Sequence, residues 1–372
     1  MKRVLIDGTT ISKKIDGLSQ YILNVVKYID TSDIDYTLIV RPNQCPEEYV
    51  EIFRSKGINI EEVMIPAIGP LREYKFWKYL REHQVYDAAF VPSNQFPVSL
   101  TIPSLYTIHD IIYEQYPEQL GKMGWLKSKF LHWNVSVGMK LSKKVIAVSN
   151  YTRQELLRIH GERYKEKIAV VYEGWEHLQQ RHLNMPKCPI FERYLLYVGS
   201  SRGHKNLNGL MAAIHLCQDQ IPCNMGLIIV GNNSMLSSHQ LEQIETLNKQ
   251  RKLIHLTGWI SNDELSGFFQ HAEGLIFPSL CEGFGIPVLE AYYYKLPLLL
   301  SDCSSLPEVA GDAAIYFTPH SPSDMADKIV SFINMEAEQK DQLIALESKR
   351  LLNFSWKNTA KEIDKMILEL VN

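Results

Sequence analysis

Between Phe277 and Ala291 the chain reads Phe-Pro-Ser-Leu-Cys-Glu-Gly-Phe-Gly-Ile-Pro-Val-Leu-Glu-Ala. An apolar strand ends there, and a loop follows that carries one carboxylate, Glu282, and two glycines, Gly283 and Gly285. Pro287 stands where the first turn of a helix accepts a proline. Such a helix start presents unpaired N–H groups and about half a positive charge, which suits a phosphate. Glu290, read as part of the first helical turn, is then placed to accept hydrogen bonds from ribose hydroxyls, and Glu282 on the loop from a sugar. Gly283 and Gly285 lack a Cβ and let backbone amides approach a ligand. Two glutamates at this spacing also serve simply to favour a helix start, and the spacing alone leaves both readings open.

The longer string P-S-x-x-E-G-F-G-I-P-V-L-E-A resembles the donor-site signature of retaining glycosyltransferases of family 4, whose fold is GT-B. The resemblance implies an α/β protein of two facing Rossmann-like domains with an interdomain cleft. It assigns Glu282, Gly283, Phe284, Gly285, Ile286 and Glu290 to a nucleotide-sugar donor. Tyr197-Val-Gly-Ser-Ser-Arg-Gly-His-Lys-Asn-Leu207 is similar to the family's strand-end loop that grips the donor diphosphate. Ser200 and Lys205 carry over; His204 stands where the family has Arg, and Arg202, two residues earlier, is the other candidate for that cation. Gly258 and Trp259 match the segment lining the nucleotide base, although a plain strand, turn and capped helix would read the same.

His109, in Thr107-Ile108-His109-Asp110, ends a strand, where a lone histidine is commonly structural or exposed. The resemblance places its side chain over the donor sugar. Gly17, in Asp16-Gly17-Leu18-Ser19-Gln20-Tyr21, matches the family's glycine-rich loop, with Ser19 in place of a glycine and Gln20 in place of an arginine. The residues expected to carry the chemistry are His109, Lys205 and Glu282. No metal and no cofactor are expected, the nucleotide sugar being a substrate.

These residues need strand ends to stand on. Short apolar runs alternate with helical stretches, the pattern of parallel sheets with crossover helices. Strands are expected near Val4–Asp7, Tyr36–Val40, Ala88–Val91, Leu105–Ile108, Val145–Ser149 and Ile168–Tyr172. A second set follows at Tyr194–Gly199, Leu227–Gly231, Leu253–Thr257, Leu275–Pro278, Leu298–Asp302 and Ile315–Phe317. Ser261–Glu264 and Ser305–Glu308 both read as S-x-x-E capping boxes. The expected organisation is an acceptor domain over 1–178, a polar linker over 179–190, a donor domain over 191–353, and a last helix over 354–372 that packs back on the first domain.

At 372 residues, with 45% apolar and 22% charged residues, the composition is that of a two-domain globular protein. Residues 1–185 carry 24 Lys+Arg against 21 Asp+Glu, and residues 186–372 carry 15 against 21, so the halves are +3 and −6 and general nucleic-acid binding is disfavoured. The six cysteines show neither a disulfide framework nor zinc spacing. The first residues reach Asp7 after three apolar positions, unlike a signal peptide, and no apolar run spans a bilayer. A cytoplasmic protein is expected, peripheral on the inner face of the membrane if residues 119–144 bind lipid. That stretch holds six lysines with Trp125, Phe130 and Trp133 and no acidic residue. It reads equally as a membrane-surface helix or as a solvated basic face over core aromatics.

Two motifs mislead. Gly283-Phe-Gly285-Ile-Pro-Val288 imitates a dinucleotide fingerprint but ends in Val. Asp33-Ile34-Asp35 imitates a metal-binding D-x-D but falls in a polar turn.

The expected reaction moves a hexosyl group, mannosyl from GDP-mannose as first choice, to a sugar hydroxyl of a polysaccharide or lipid-linked oligosaccharide. A sugar-nucleotide epimerase of the same fold and a non-catalytic nucleotide-sugar adaptor are the alternatives.

Overall fold

The computed structural model describes residues 1–83, 85–121, 124–181, 191–200, 202–232, 234 and 236–372. The chain divides into two compact units, Met1–Gly174 with Phe354–Asn372, and Trp175–Asn353. The first unit therefore ends at Gly174, earlier than the boundary expected at 178. Trp175 packs against Tyr293, ring centroids 5.5 Å apart, and Leu178 is buried in the 3-10 turn Glu176–Gln180, so this stretch belongs to the second unit. Residues 182–190 of the expected linker lie outside the described residues.

The first unit holds a seven-stranded parallel sheet in the order β3-β2-β1-β4-β5-β6-β7. Its strands are β1 (Lys2–Asp7), β2 (Ile34–Val40), β3 (Asn59–Glu62), β4 (Ala88–Val91), β5 (Ser104–Ile108), β6 (Lys144–Ala147) and β7 (Ile168–Val170). The second holds a six-stranded parallel sheet in the order β10-β9-β8-β11-β12-β13. Its strands are β8 (Arg193–Val198), β9 (Met225–Val230), β10 (Ile254–Gly258), β11 (Gly274–Phe277), β12 (Leu298–Ser301) and β13 (Ile315–Phe317). Helices cover both faces, so central strands such as β4, β9 and β12 are buried throughout and read as unbroken apolar runs. The strand missed by the sequence, β3, reads Asn-Ile-Glu-Glu; an edge strand needs no apolar run, and polar side chains protect its open side. Ile34 and Asp35, expected in a turn, already pair with β1.

Chain order reverses between β1 and β4 in the first sheet and between β8 and β11 in the second. At such switch points the loops leaving the carboxyl ends of two neighbouring strands diverge and leave a crevice for a ligand.

The last helix, Trp356–Val371, buries Trp356, Ala360, Ile363 and Ile367 on one stripe within the first unit. Thr359 Oγ1 donates to the Tyr172 carbonyl at 2.6 Å, and the Asp30 amide donates to Asp364 at 2.9 Å. Gly174 makes this docking possible, because a Cβ there would stand 2.0 Å from the Trp356 amide nitrogen. That neighbour is backbone and cannot swing aside. Gly174→Ala is expected to destabilise the first unit by about 2 kcal/mol or more, read as a lower urea midpoint with little change in slope. A midpoint equal to that of the unsubstituted chain would show that the helix is not held this closely.

Candidate functional site

In the second unit the loop after β8 meets the loop after β11 at the switch point. The chain leaves Val198, passes Ser200 and the exposed Arg202, and forms a 3-10 turn at Gly203–Lys205. Asn206 follows in the left-handed region at φ 53° and donates to the Pro319 carbonyl at 2.8 Å, which fixes the exit of the turn. Tyr197, on β8, donates its hydroxyl to the carbonyls of Ser200 (3.2 Å) and Lys205 (3.4 Å), so the loop is tied at both ends to one core side chain. Lys205 Nζ reaches Glu282 Oε1 at 2.6 Å and lies 5.1 Å from the centre of the Phe277 ring. The Leu280 amide donates to the His204 carbonyl at 2.6 Å, a second bond between the two loops.

The Glu282 loop is also held from its far side. Ser305 donates to the carbonyls of Glu282 (3.0 Å) and Phe284 (2.9 Å), the Glu282 amide donates to Ser304 Oγ at 3.1 Å, and Cys303 Sγ donates to the Leu280 carbonyl at 3.3 Å. Ser305 was expected to cap its own helix with Glu308. Its backbone is already αR and its side chain is spent on the neighbouring loop, so that box does not form, whereas the one at Ser261–Glu264 does. Gly285 then starts the helix Ile286–Tyr293 at φ 102°, with Pro287 in its first turn. Glu290 thus falls in the second turn, not the first. Its partner is Arg181 at 2.9 Å rather than the helix amides.

Gly283, Phe284 and Gly285 are buried within this loop, and Ile286 is half-buried at the helix start. Gly258 ends β10 at φ 76°, followed by the exposed Trp259. All of these residues follow carboxyl ends of β8, β10 or β11 and lie on one edge of the sheet.

In the first unit His109 follows β5. Its amide donates to Asn94 Oδ1 at 2.7 Å, and its ring stands edge-on to Tyr21 with centroids 4.5 Å apart. Nε2 lies 3.0 Å from the Pro92 carbonyl, which only accepts, so this nitrogen carries a proton. Nδ1 is 3.5 Å from Glu173 Oε1, a buried carboxylate after β7. Gly17 opens the helix Gly17–Tyr28, whose cap Asp16 accepts from the amide and hydroxyl of Ser19 at 2.8 and 2.7 Å. The serine found where a glycine was expected is therefore part of the helix cap. Asn94 and Glu173 beside His109 in the first unit, and Arg181 beside Glu290 and Ser305 beside the Glu282 loop in the second, are partners that the sequence does not assign. Glu173 had a faint signal, a carboxylate and a glycine just past a strand, and Arg181 had none.

Two family models match the chain: "Glycosyltransferase Family 4" over residues 15–176 and "Glycosyl transferases group 1" over residues 187–349. The chain belongs to glycosyltransferase family 4. O-antigen chain mannosyltransferase B of Escherichia coli is 26% identical over 264 residues, which span 68% of this chain and 66% of that protein. O-antigen chain mannosyltransferase RfbU of Salmonella typhimurium is 23% identical over 333 residues, 85% of this chain and 87% of its own length. Among solved structures, sucrose-phosphate synthase from Thermosynechococcus elongatus superposes with a TM-score of 0.77 at 16% identity, covering 100% of this chain and 99% of that one. Anabaena Alr3699/HepE in complex with UDP and glucose gives 0.73 at 18% identity, with 99% of both chains covered. The α/β fold is that of the GT-B glycosyltransferases.

In this family 4 glycosyltransferase His204 stands where the family has an arginine. It is buried, and burial first, then the neighbouring Lys205, pushes its pKa down to about 4. At neutral pH the ring is uncharged, so the cation facing the Glu282 loop is Lys205. Below the ordinary histidine value of 6.5 the unfolded chain takes up a proton that folded His204 refuses until about 4, so its contribution to stability is lost as pH falls through this window. Removing the ring in His204→Asn is expected to flatten the pH dependence of urea unfolding between about pH 6.5 and 4. An unchanged slope would mean that His204 is already protonated in the folded chain.

Proposed function

We propose that this glycosyltransferase moves a hexosyl group, mannosyl from GDP-mannose in the first instance, from a nucleoside-diphosphate sugar to a hydroxyl of a polysaccharide or lipid-linked glycan, with retention and without a metal. The observation that carries this reading is the meeting of Lys205 and Glu282, 2.6 Å apart, where the loops after β8 and β11 diverge beside the start of the helix Ile286–Tyr293. The leaving nucleoside diphosphate gains negative charge as the glycosidic bond breaks. A fixed ammonium and a helix N-terminus already in place stabilise that charge without reorganising. Glu282 then takes a hydroxyl of the transferred sugar, Glu290 takes the ribose, and His109 acts on the sugar as the family resemblance implies. The leaving phosphate itself helps deprotonate the acceptor on the same face. The mannosyl choice is supported by the two O-antigen chain mannosyltransferases among the relatives.

Binding of GDP-, UDP-, ADP- and dTDP-sugars in the presence of EDTA tests the donor half. One sugar nucleotide is expected to bind, and Lys205→Ala and Glu290→Ala are each expected to weaken it by about 10- to 100-fold, the value of a charge-assisted hydrogen bond. Binding that ignores both substitutions would remove the donor site from this loop, and binding that requires a divalent ion would remove the metal-free step.

We also propose that the first unit meets an anionic membrane surface, where a lipid-linked acceptor and its enzyme would share a plane; the protein then works peripherally on the cytoplasmic side. Among the described residues no helix is long and apolar enough to cross a membrane. The helix Gly124–Leu141 buries Asn134, Val135, Gly138 and Met139, and leaves Trp125 and Trp133 exposed at 59% and 48% beside Lys127, Lys129 and Lys140. These tryptophans are therefore not core; Lys122 lies outside the described residues. The helix Pro70–Glu82 packs into the same core cluster through Phe76 and Tyr79 and exposes Leu71, Tyr74 and Trp77 with Lys78, Lys75 being half-buried beside them. Two apolar and basic helix faces on one side of one sheet match the chemistry of an acidic bilayer. Co-sedimentation with phosphatidylglycerol vesicles is expected to fall with added salt, and about tenfold or more in Trp125→Ala/Trp133→Ala. Equal pelleting with and without the two tryptophans would refute this docking face.

A further inference from the structure

Glu290 is not a free carboxylate. Its Oε1 accepts from Arg181 Nη2 at 2.9 Å, with the two side chains only 9% and 11% exposed. Arg181 belongs to no motif and stands more than a hundred positions away in the chain, yet it is carried by an anchored platform. The 3-10 turn Glu176–Gln180 buries Leu178, and the Arg181 amide donates to the Leu178 carbonyl at 3.2 Å. At the other end of this segment Trp175 packs on Tyr293, in the same helix as Glu290. The platform therefore rests on the helix whose glutamate its arginine holds. Arg181 Nη1 is buried with no hydrogen-bond partner among the described residues. A guanidinium kept in such a place, with a donor unsatisfied, is poorly explained as a stabilising pair.

We propose that Arg181 is a positioning residue for donor recognition: it fixes the rotation of the Glu290 carboxylate so that the oxygen it leaves open accepts from the ribose hydroxyls, and it thereby sets selectivity for ribonucleotides. This inference rests on the donor reading of Glu290. A glutamate turns about three bonds, and a carboxylate serves hydroxyl groups only over a narrow range of orientations. Pairing one oxygen with a buried guanidinium carried on an anchored backbone segment removes much of this freedom before the ligand arrives. A site arranged to bond a hydroxyl rejects the analogue lacking it, because its own polar group is then left buried and unpaired.

The test compares GDP and UDP with their 2′-deoxy and 3′-deoxy counterparts by calorimetry on the full chain. The unsubstituted protein is expected to prefer the ribo form by about 10- to 100-fold, as expected for a hydrogen bond to a charged group. Glu290→Ala should abolish that preference. Arg181→Met should reduce it to nearly the same low ratio, the double variant should fall no further, and Arg181→Lys, which keeps one donor, should regain part of it. A wild-type preference retained in Arg181→Met while Glu290→Ala loses it overturns the role of Arg181 and leaves the donor site intact. A preference unchanged in Glu290→Ala overturns the donor reading itself and this inference with it. Should Arg181→Met not fold, Arg181→Gln and Arg181→Lys carry the same comparison: a ratio equal to wild type in both refutes the proposal, and a graded loss supports it.

Discussion

The contact between Lys205 and Glu282 is the constraint around which the second unit is arranged. Two loops that leave neighbouring strands in divergent directions have no backbone ladder to hold them, and here the Lys205–Glu282 ion pair and the bond from the Leu280 amide to the His204 carbonyl help to join them. A half-buried pair of this kind gives up hydration and gains little net stability. Its value lies in geometry, since the ammonium and carboxylate are set in register with a helix start before any ligand is present. The hydroxyls of Ser304 and Ser305 and the thiol of Cys303 hold the same loop from β12's side, so the Glu282 carboxylate is braced from both directions.

The parallel sheets explain why so few positions suffice. Strands that all point one way deliver every following loop to the same edge, and the reversal of strand order opens a gap between two of those loops. In the second sheet the gap falls between β8 and β11, which are the strands followed by Lys205 and Glu282. In the first sheet His109 follows β5, and the polar groups that face it, Asn94, the Pro92 carbonyl and Glu173, likewise follow the ends of β4 and β7. The core supplies direction and rigidity, and the chemistry is left to loops of a few residues.

Most of this frame could be read from the sequence because buried parallel strands are short apolar runs, and β3 escaped because an edge strand is not. The donor loop was legible as a string of residue types, but its bracing was not. Ser305 and Glu308 have the spacing of a capping box, and nothing local says that the serine's backbone is already helical and its hydroxyl engaged elsewhere. Counting from Pro287 as the first helical residue puts Glu290 in the first turn, whereas the helix starts at Ile286 and Glu290 falls in its second turn. Arg181 has no local signal and Glu173 only a faint one, because each meets its partner through the tertiary fold. His204 looked like a stand-in for arginine by position; its burial, which the sequence does not show, makes it neutral.

If the site takes a nucleotide sugar as proposed, Glu282 on the loop and Glu290 in the helix share a problem that their pairing answers. A nucleoside diphosphate brings at least two negative charges toward a site that already holds two carboxylates. At about 7 Å, with an effective dielectric constant of about 20, each unpaired carboxylate would oppose each phosphate charge by about 2 kcal/mol. Lys205 and Arg181 offset the charges of Glu282 and Glu290 in turn, so that the Lys205 ammonium and the dipole of the helix Ile286–Tyr293 would face an incoming phosphate with most of the carboxylate repulsion cancelled. The carboxylates keep lone pairs for hydroxyl groups while losing most of their repulsion. On the proposed donor reading, a site built this way would accept an anionic donor with acidic residues as its sugar contacts, and the cations that permit it are supplied by the chain.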